Sequence, residues 1–365
     1  MPESRPAQPR GFRRLRSFLD AWVNPAFFDF WASRVNRLWS WQRPLARVVG
    51  RQQIAADAVT LTLRGNRHCG PVRPGQHINV GAELDGRRVT RCYSPVVNAD
   101  GTLSISVKKV ADGRLSRHLC DGVRVGDVLE IGAAFGDMTL PETVAGAWLF
   151  LAAGSGITPL LSLVRDLAAR RMPVSVDLMY WAHGEDDLWF ADDLRALAAR
   201  WPAFRVHFFV TRCTPQREDV ASGRIDAVAL QELVSVLPER RVYACGPTGF
   251  VSTAQALLEG SVASFAAEAF SPSDSLPVED GDVQVHLARR GLTLSLPRAS
   301  TLLAALEAAG LRPESGCRMG ICNTCACGKR SGATRDLLTG ELISEPVSSL
   351  RLCVNRAASD LVLDL

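Results

Sequence analysis

The chain has 365 residues, of which 47% are hydrophobic and 22% are charged, so it is long enough for two or three globular domains. Its net charge of +4 is small for this length and gives no indication of nucleic-acid binding. Ten cysteines in so long a chain favour metal or redox chemistry in a reducing cytoplasm over a disulfide framework, and no apolar run approaches the ~20 residues of a membrane-spanning helix.

Residues 1–43 are rich in arginine and aromatic residues, contain no lysine and lack the apolar core of a cleaved signal peptide. Apolar residues recur at helical spacing from Phe12 to Trp22. Asn24 and Pro25 then predict the start of a second helix, whose apolar face is formed by Phe27, Phe28, Trp31, Val35 and Leu38. We therefore predict a helical N-terminal extension over 1–43. Its aromatic faces suit either a membrane interface or docking on a membrane protein, or else packing on the following domains, and the pattern leaves these open.

Short alternating apolar runs, separated by Asp-Gly turns, predict an antiparallel β-barrel over residues 44–142. Within it, Arg91, Tyr93 and Ser94 place a cation, an aromatic ring and a hydroxyl on one strand. In an undistorted strand Arg91 and Tyr93 share a face that Ser94 does not, so all three can meet one ligand only near a strand end or bend.

Strands and helices alternate over residues 143–271, which predicts a parallel α/β domain. The strand that ends near Ala152 runs into the sequence GSGITP, where bare backbone amides can approach a pyrophosphate and Thr158 can cap the next helix. The third glycine of the dinucleotide fingerprint is absent, so a glycine turn that only packs helix on sheet is the alternative. The other helices of this domain are predicted at Ala191–Arg200, Gln231–Leu237 and Thr248–Leu258.

A polar linker over residues 272–281 separates a last domain, 282–365, which is predicted to be α+β. Its cysteines have C-x4-C-x2-C spacing with one distant partner, as in plant-type [2Fe-2S] proteins, and are Cys317, Cys322, Cys325 and Cys353. A four-cysteine zinc site is the alternative, although such sites usually bring their thiols as two CxxC pairs. Gly316 and Gly320 are expected to let backbone amides point at the sulfurs. Cys327 lies outside the ligand spacing and is expected to be a packing residue.

In this order, the motifs RCYSP, GSGITP, CGP and CRMGICNTC resemble the ferredoxin-NADP reductase superfamily fused to a C-terminal plant-type ferredoxin. The resemblance covers about residues 44–365. It implies a flavin-binding antiparallel barrel, an NAD(P)-binding α/β domain and a β-grasp ferredoxin domain. It also implies FAD as the flavin, with FMN as the alternative.

For the flavin, the resemblance implies that Arg91 binds its phosphate, that Tyr93 lies on the isoalloxazine ring and that Ser94 hydrogen-bonds near its N5 atom. Gly113 and Ser116 match the second phosphate-contacting turn of the family. For the nicotinamide dinucleotide it implies three binding residues at the glycine turn, which are Gly154, Gly156 and Thr158.

Three further residues match the family near the reacting rings. Cys245 would lie near the nicotinamide, and Glu268 and Phe270 match an ExF ending in which the aromatic ring covers the flavin until nicotinamide displaces it. Many relatives have arginine where this chain has His183, which leaves the coenzyme preference open. Arg212 and Arg217 could neutralise a 2′-phosphate, so NADPH is favoured over NADH.

A nicotinamide gives two electrons as a hydride and a [2Fe-2S] cluster takes one, whereas a flavin can do both, so the three sites predict an electron-transfer reductase. The expected path is NADPH to FAD to [2Fe-2S] to a separate acceptor. Residues 1–43 resemble an extension of bacterial reductases that serve membrane acyl desaturases, so the expected acceptor is a membrane fatty-acyl desaturase, reached from the cytoplasmic membrane face. A soluble oxygenase or hydroxylase is the alternative acceptor, and a redox-sensing or metal-binding module without turnover is the alternative of another class.

Overall fold

The computed structural model describes residues 24–111, 113–270 and 279–365. The helix predicted from Phe12 to Trp22 lies outside these residues, and the second predicted helix is present as α1, Pro25–Val35. None of the helices in the described ranges is both long enough and apolar enough to cross a membrane. Most of the predicted linker over 272–281 is also outside the description, so its bounds stay a prediction.

The first sheet has seven antiparallel strands in the order β4-β3-β7-β1-β2-β6-β5. Alternation along its strands fills the interior, and Val59, Leu61 and Leu63 of β2 are fully buried. A short helix, α2 at Arg114–Arg117, packs against β3 and β4 and continues into a π-helical turn. The strands are β1 Leu45–Ala55, β2 Ala58–Gly65, β3 Ile78–Leu84, β4 Arg87–Tyr93, β5 Val96–Val97, β6 Leu103–Lys108 and β7 Val128–Ile131.

The second sheet is parallel and has six strands in the order β11-β10-β9-β8-β12-β13. Its central strand β8 is apolar throughout, as expected for a sheet covered by helices on both faces. The strands are β8 Ala147–Ala153, β9 Ser175–Ala182, β10 Phe204–Val210, β11 Val220–Ser222, β12 Arg240–Gly246 and β13 Ser264–Ala269. The helices are α3 Ile157–Ala169, α4 Ala191–Arg200, α5 Ala227–Leu233 and α6 Thr248–Leu258.

Two of the three predicted helix ranges in this domain match the structure, and the third is wrong. The helix predicted at Gln231–Leu237 begins four residues earlier, at Ala227. Asp226 fixes this start because its carboxylate accepts a hydrogen bond from the Ala229 amide at 2.8 Å, which is an N-cap that the apolar pattern did not show.

The last domain has a mixed five-stranded sheet, in the order β15-β14-β21-β16-β19, and a small three-stranded sheet, in the order β18-β17-β20. Helix α7, Leu302–Ala308, buries its apolar side on the larger sheet and is capped by the Thr301 hydroxyl. The strands are β14 Asp282–Leu287, β15 Leu292–Pro297, β16 Ala326–Ser331, β17 Thr334–Asp336, β18 Leu342–Ile343, β19 Val347–Arg351, β20 Asn355–Ala357 and β21 Leu361–Leu363. The predicted multidomain fold class is therefore confirmed.

Candidate functional site

The strand that carries Arg91 and Tyr93 ends just before Ser94, as the sequence requires if all three side chains are to reach one ligand. Strand β4 stops at Tyr93, so Ser94 is the first residue beyond it and is released from strict alternation. Arg91 has no acidic partner among the described residues, and its guanidinium donates to the Thr90 carbonyl at 2.8 Å. Burial lowers the pKa of Arg91, and the nearby Arg318 guanidinium lowers it further. An unpaired, partly desolvated cation of this kind fits an anionic ligand.

The turn at Gly113 is shaped for close approach of backbone atoms. The Ser116 hydroxyl donates to the Gly113 carbonyl at 3.1 Å and accepts from the Val110 amide at 3.2 Å. A Cβ atom on residue 113 would lie 2.3 Å from that hydroxyl, so only glycine fits without movement. Because α2 packs against β3 and β4, this turn lies on the hairpin whose second strand carries Arg91. Its exposed backbone amides are of the kind that bind phosphates.

Ser94, His77 and Glu268 form one hydrogen-bonded chain across the two large domains. The Ser94 hydroxyl lies 2.7 Å from His77 Nδ1, and His77 Nε2 contacts a carboxylate oxygen of Glu268. His77 and Ser94 are buried, and the Glu268 side chain is 13% exposed. The chain of side chains therefore runs from the interior toward solvent.

These three groups form a hydrogen-bonded chain that can carry a proton between the buried Ser94 and the partly exposed Glu268. With Glu268 ionised, its carboxylate only accepts hydrogen bonds, and His77 Nε2 is then the donor. In a neutral imidazole Nδ1 is then the acceptor, and the Ser94 hydroxyl donates to it. The free lone pairs of Ser94 can accept a proton from a ligand, which His77 can pass to Glu268.

His77 was not identified as a functional residue from the sequence, where it reads as part of a strand. Its hydrogen-bond partners are 17 and 191 residues away along the chain, so no local spacing connects them. The backbone of His77 is paired with that of Phe135. The His77 amide donates to the Phe135 carbonyl at 2.8 Å, and the Phe135 amide donates to the His77 carbonyl at 3.0 Å. Gly136, with φ of +104°, leaves room beside the ring, since a Cβ there would lie 3.0 Å from His77 Cδ2.

A cavity of about 510 Å³ opens at the carboxyl edge of the parallel sheet, where α/β folds bind nucleotides. Three of the residues predicted to bind cofactor line it, namely Gly154, Arg212 and Phe270. Residue Gly154 has φ of +55° and open space at its Cβ position, so its backbone is accessible from the cavity. Further lining residues include Lys108, Trp181, His183, Arg224, Pro247 and Phe250.

Gly156 and Thr158 shape the glycine turn from behind the cavity. A Cβ on Gly156 would lie 2.0 Å from the Cys245 carbonyl oxygen, so this glycine allows α3 to approach β12. Thr158 is the second residue of α3 and donates its hydroxyl to the Ser155 carbonyl at 3.0 Å. The prediction that Thr158 caps this helix is therefore wrong, because the helix begins before it. The direct cofactor contacts of both residues stay predictions.

Cys245 and Glu268 are neighbours at the carboxyl ends of β12 and β13. The Cys245 thiol is fully buried, and this burial raises its pKa well above the ordinary value. Phe270 follows directly, donates its amide to the Gly246 carbonyl at 3.0 Å and packs against the same core. Their predicted contacts with nicotinamide and flavin stay predictions.

The three cysteines of the C-x4-C-x2-C motif and the distant Cys353 lie around one loop, whose backbone amides point at the sulfurs. Hydrogen bonds reach Cys317 Sγ from Met319 and Cys322, at 3.4 and 3.3 Å. The Gly320 amide donates to Cys353 Sγ at 3.3 Å, as predicted. Gly316 instead provides space for a sulfur, because a Cβ there would lie only 2.8 Å from Cys322 Sγ. The loop is therefore preformed around thiolate ligands.

The thiols form two pairs, Cys317 with Cys322 and Cys325 with Cys353. Hydrogen bonding from Cys317 lowers the pKa of Cys322 to about 4, and hydrogen bonding from Cys353 lowers the pKa of Cys325 to about 7. Two thiol pairs fit the two irons of a [2Fe-2S] cluster.

The cysteine loop lies within electrostatic reach of the strand that carries Arg91 and Tyr93. Arg91 of β4 is within electrostatic reach of Cys317, Arg318 and Glu307, and the last two are joined by a salt bridge with an N–O distance of 2.8 Å. Burial raises the pKa of Cys92, the next residue of β4, and Cys322 and Glu268 raise it further. The predicted flavin and cluster sites are thus neighbours.

Thr324 offers a first test of how the loop tunes its ligands. Its hydroxyl donates to Cys322 Sγ at 3.1 Å. We expect Thr324→Val to lower the cluster reduction potential by about 40 mV, because a lost hydrogen bond of ~1 kcal/mol no longer stabilises the more negative reduced state. A redox titration measures this. The matched control is Thr293→Val, since Thr293 bonds His286 on the same domain's sheet. An unchanged potential in Thr324→Val would contradict the expectation.

Comparison with known families assigns the three domains separately. Residues 46–139 match the family described as oxidoreductase FAD-binding domain, and residues 150–256 match the oxidoreductase NAD-binding domain. Residues 285–356 match the 2Fe-2S iron-sulfur cluster binding domain, which selects the iron-sulfur interpretation over zinc. The predicted cofactor classes are confirmed, and the chain is an electron-transfer reductase.

Similar proteins match this chain along most of its length. The chain is 33% identical to an NADPH oxidoreductase of Mycobacterium tuberculosis, over 97% of this chain and 93% of that protein. It is 34% identical to the ferredoxin reductase component of 3-ketosteroid-9-alpha-monooxygenase of the same species, over 79% and 84%. Phthalate dioxygenase reductase, described as a modular structure for electron transfer from pyridine nucleotides to [2Fe-2S], superposes with a TM-score of 0.61 at 26% identity, over 88% of this chain and 97% of that one. The chain therefore belongs to the ferredoxin-NADP reductase superfamily, in the group whose flavin and nicotinamide domains are fused to a C-terminal [2Fe-2S] ferredoxin domain.

Proposed function

We propose that this reductase takes a hydride from NADPH at the cavity of the α/β domain and delivers single electrons through FAD and the [2Fe-2S] cluster to the oxygenase component of a separate enzyme. The observation that carries the proposal is the position of the cysteine loop beside β4. Cys317 and Cys322 lie within electrostatic reach of Arg91 and Cys92, next to the predicted flavin residues. A cluster held there can accept electrons from the flavin without a separate carrier.

The charges of the nucleotide cavity favour NADPH over NADH. Arg212 and Arg224 both line it, and neither guanidinium forms an ion pair within the described part of the chain. The acidic lining residue Asp187 is already paired with Lys108 at 3.4 Å. Two uncompensated cations in one cavity suit the 2′-phosphate of NADPH. Arg217, proposed from the sequence for this role, instead pairs with Asp219 at 3.4 Å and lines a separate polar groove.

Replacing both cavity arginines tests this preference. We expect Arg212→Ala combined with Arg224→Ala to raise KM for NADPH by at least about 100-fold, because hydrogen bonds to a charged phosphate are worth about 1.5–3 kcal/mol each. The KM for NADH should change less than about threefold, since NADH has no 2′-phosphate. Steady-state reduction of ferricyanide with each coenzyme gives both values. Arg217→Ala is the matched control, and a larger loss there than in the double variant would assign the phosphate to the other groove.

The relatives indicate which kind of protein accepts the electrons. The relatives include a reductase component of a monooxygenase, and the superposed structure is the reductase of a dioxygenase, so the comparisons favour an oxygenase. They do not support the membrane fatty-acyl desaturase expected from residues 1–43. A desaturase stays the second candidate on one observation, the exposed aromatic side of α1.

Reconstitution with defined acceptors distinguishes the two. Purified reductase and NADPH are combined either with the oxygenase component of 3-ketosteroid-9-alpha-monooxygenase or with membranes containing an acyl desaturase and its acyl substrate. We expect steroid hydroxylation that depends on the reductase, and desaturation at background level. Desaturation without hydroxylation would reverse the assignment, and reduction of cytochrome c with neither product would show that the acceptor belongs to another class.

A further inference from the structure

The exposed aromatic residues of the described chain are concentrated on and just after helix α1. Phe27, Phe30, Trp31 and Val35 are 52–77% exposed and follow helical spacing, so they form one surface that we name the aromatic face. Trp39, in the turn that follows, is 54% exposed. Elsewhere in the described ranges, the exposed large hydrophobic residues are scattered valines and leucines, namely Val49, Val110, Val125, Val228, Val236, Leu292 and Leu342.

The opposite side of α1 is fixed, so the aromatic face is held outward. Phe28 packs edge-on against Trp41 with ring centroids 5.2 Å apart, and Ala32 is buried. The Asp29 carboxylate accepts hydrogen bonds from Ser40 Oγ at 3.2 Å and from the Trp41 amide at 2.6 Å. These contacts use the inward residues of the helix and leave the aromatic face exposed.

Beyond the helix, two further hydrogen bonds join this segment to the barrel. Asn36 accepts from the Arg47 guanidinium of β1 at 2.9 Å. The Asn66 side-chain amide donates to the Leu38 carbonyl at 3.1 Å. The orientation of α1 is thus set by the flavin domain rather than by its aromatic side.

The charges around the aromatic face are basic. Arg34 stacks over Phe30 and Trp31, with its guanidinium carbon 4.1 and 5.1 Å from the ring centroids, and Arg37 is exposed nearby. The acidic residue of helix α1, Asp29, accepts hydrogen bonds on the inward side. Residues 1–43 contain eight arginines and three acidic residues, a net charge of +5, whereas the whole chain has +4. The positive charge of the protein is therefore concentrated at this end.

We propose that the aromatic face binds the surface of a bilayer that contains anionic lipids. Tryptophan rings sit at the headgroup level, and phenylalanine rings on the apolar face of an interfacial helix are buried at the boundary with the acyl chains. Nearby arginines are attracted to anionic lipid headgroups. A helix of this kind lies in the plane of the interface. The size of the surface favours lipid over a protein partner, because eleven residues span only about 16 Å and one helical face presents well under the ~800 Å² per partner of a standard protein interface. The proposal does not depend on which protein accepts the electrons.

Co-sedimentation of the full-length holoprotein with lipid vesicles tests the proposal. We expect binding to vesicles of mixed phosphatidylglycerol and phosphatidylcholine, and much weaker binding to phosphatidylcholine alone. The triple variant Phe27→Ser, Phe30→Ser, Trp31→Ser should bind the vesicles about 100-fold more weakly. In the wild type about half of each of these side chains would be buried in the bilayer, and the variant loses that burial. The double variant Arg34→Gln, Arg37→Gln should lose about 30-fold on anionic vesicles.

The control replaces an equal number of exposed apolar residues elsewhere, with Val125→Ser, Val228→Ser and Val236→Ser, and should bind like the wild type. Flavin and cluster absorbance and NADPH–ferricyanide turnover, unchanged in every variant, show that each is folded. The proposal is overturned if the wild type does not bind anionic vesicles, if the aromatic variant binds as well as the wild type, or if charge has no influence. Binding to native membranes but not to vesicles would assign the face to a membrane protein instead.

Discussion

Replacing Cys322 by serine is expected to abolish electron delivery to protein acceptors and to leave hydride uptake from NADPH intact. Cys322 is the least buried of the four predicted ligands, and its thiolate accepts hydrogen bonds from the Cys317 amide at 3.2 Å and from Thr324. Loss of one thiolate removes a ligand of the cluster, so transfer to cytochrome c should fall by at least about 100-fold. Ferricyanide, which can take electrons directly from the flavin, should still be reduced.

Cys327 supplies the matched control for this variant. It is buried, lies two residues after Cys325 and is outside the ligand set, so Cys327→Ser should keep its iron and its cytochrome c activity. Burial raises the pKa of Cys327 to about 12, which is the behaviour of a neutral packing thiol. Iron content and anaerobic stopped-flow absorbance give the two results independently. Cytochrome c reduction by an iron-free Cys322→Ser protein would show that electrons leave directly from the flavin.

The sequence predicted those parts of the molecule in which the determining signal is local. The C-x4-C-x2-C spacing identified Cys317, Cys322 and Cys325 because one loop must supply most of the ligands. The alternating run in β2 and the continuous apolar run in β8 distinguished the antiparallel from the parallel sheet, because one is half-buried and the other is covered on both faces. The four-residue error at α5 arose because the Asp226 cap, rather than apolar periodicity, sets the start of that helix.

Parts of the site that depend on distant residues were not predictable in this way. Gly156 has the Cys245 carbonyl on another strand as its immediate neighbour, a contact that the glycine motif does not show. Arg224 joins Arg212 only because β10 and β11 end at the same edge of the sheet. The aromatic stripe of α1 predicted a helix but not which side would be covered, and the inward contacts of Asp29 and Phe28 decide that.

His77 is the most consequential of these missed residues, and its replacement by glutamine is expected to slow electron delivery about 100-fold. When NADPH gives a hydride and two electrons leave singly, one proton must also leave. The chain from Ser94 through His77 to Glu268 leads from the buried site toward solvent. Glutamine can accept from Ser94 and donate to Glu268, but it cannot take up and release a proton, and such transfer steps contribute about 10²–10⁴-fold. Hydride uptake itself needs no proton from this chain.

Stopped-flow experiments separate the two half-reactions. In His77→Gln, flavin reduction by NADPH should stay within about threefold of the wild type, while reoxidation through the cluster becomes slow and gains a solvent deuterium isotope effect. Glu268→Gln should reproduce the slow reoxidation, because it removes the terminal acceptor of the same chain. His286→Gln, on the ferredoxin sheet and bonded to Thr293, is the control for loss of a histidine. If reoxidation of His77→Gln is as fast as in the wild type with the cluster intact, the proton leaves by another route and the hydrogen-bonded chain serves only to join the two domains.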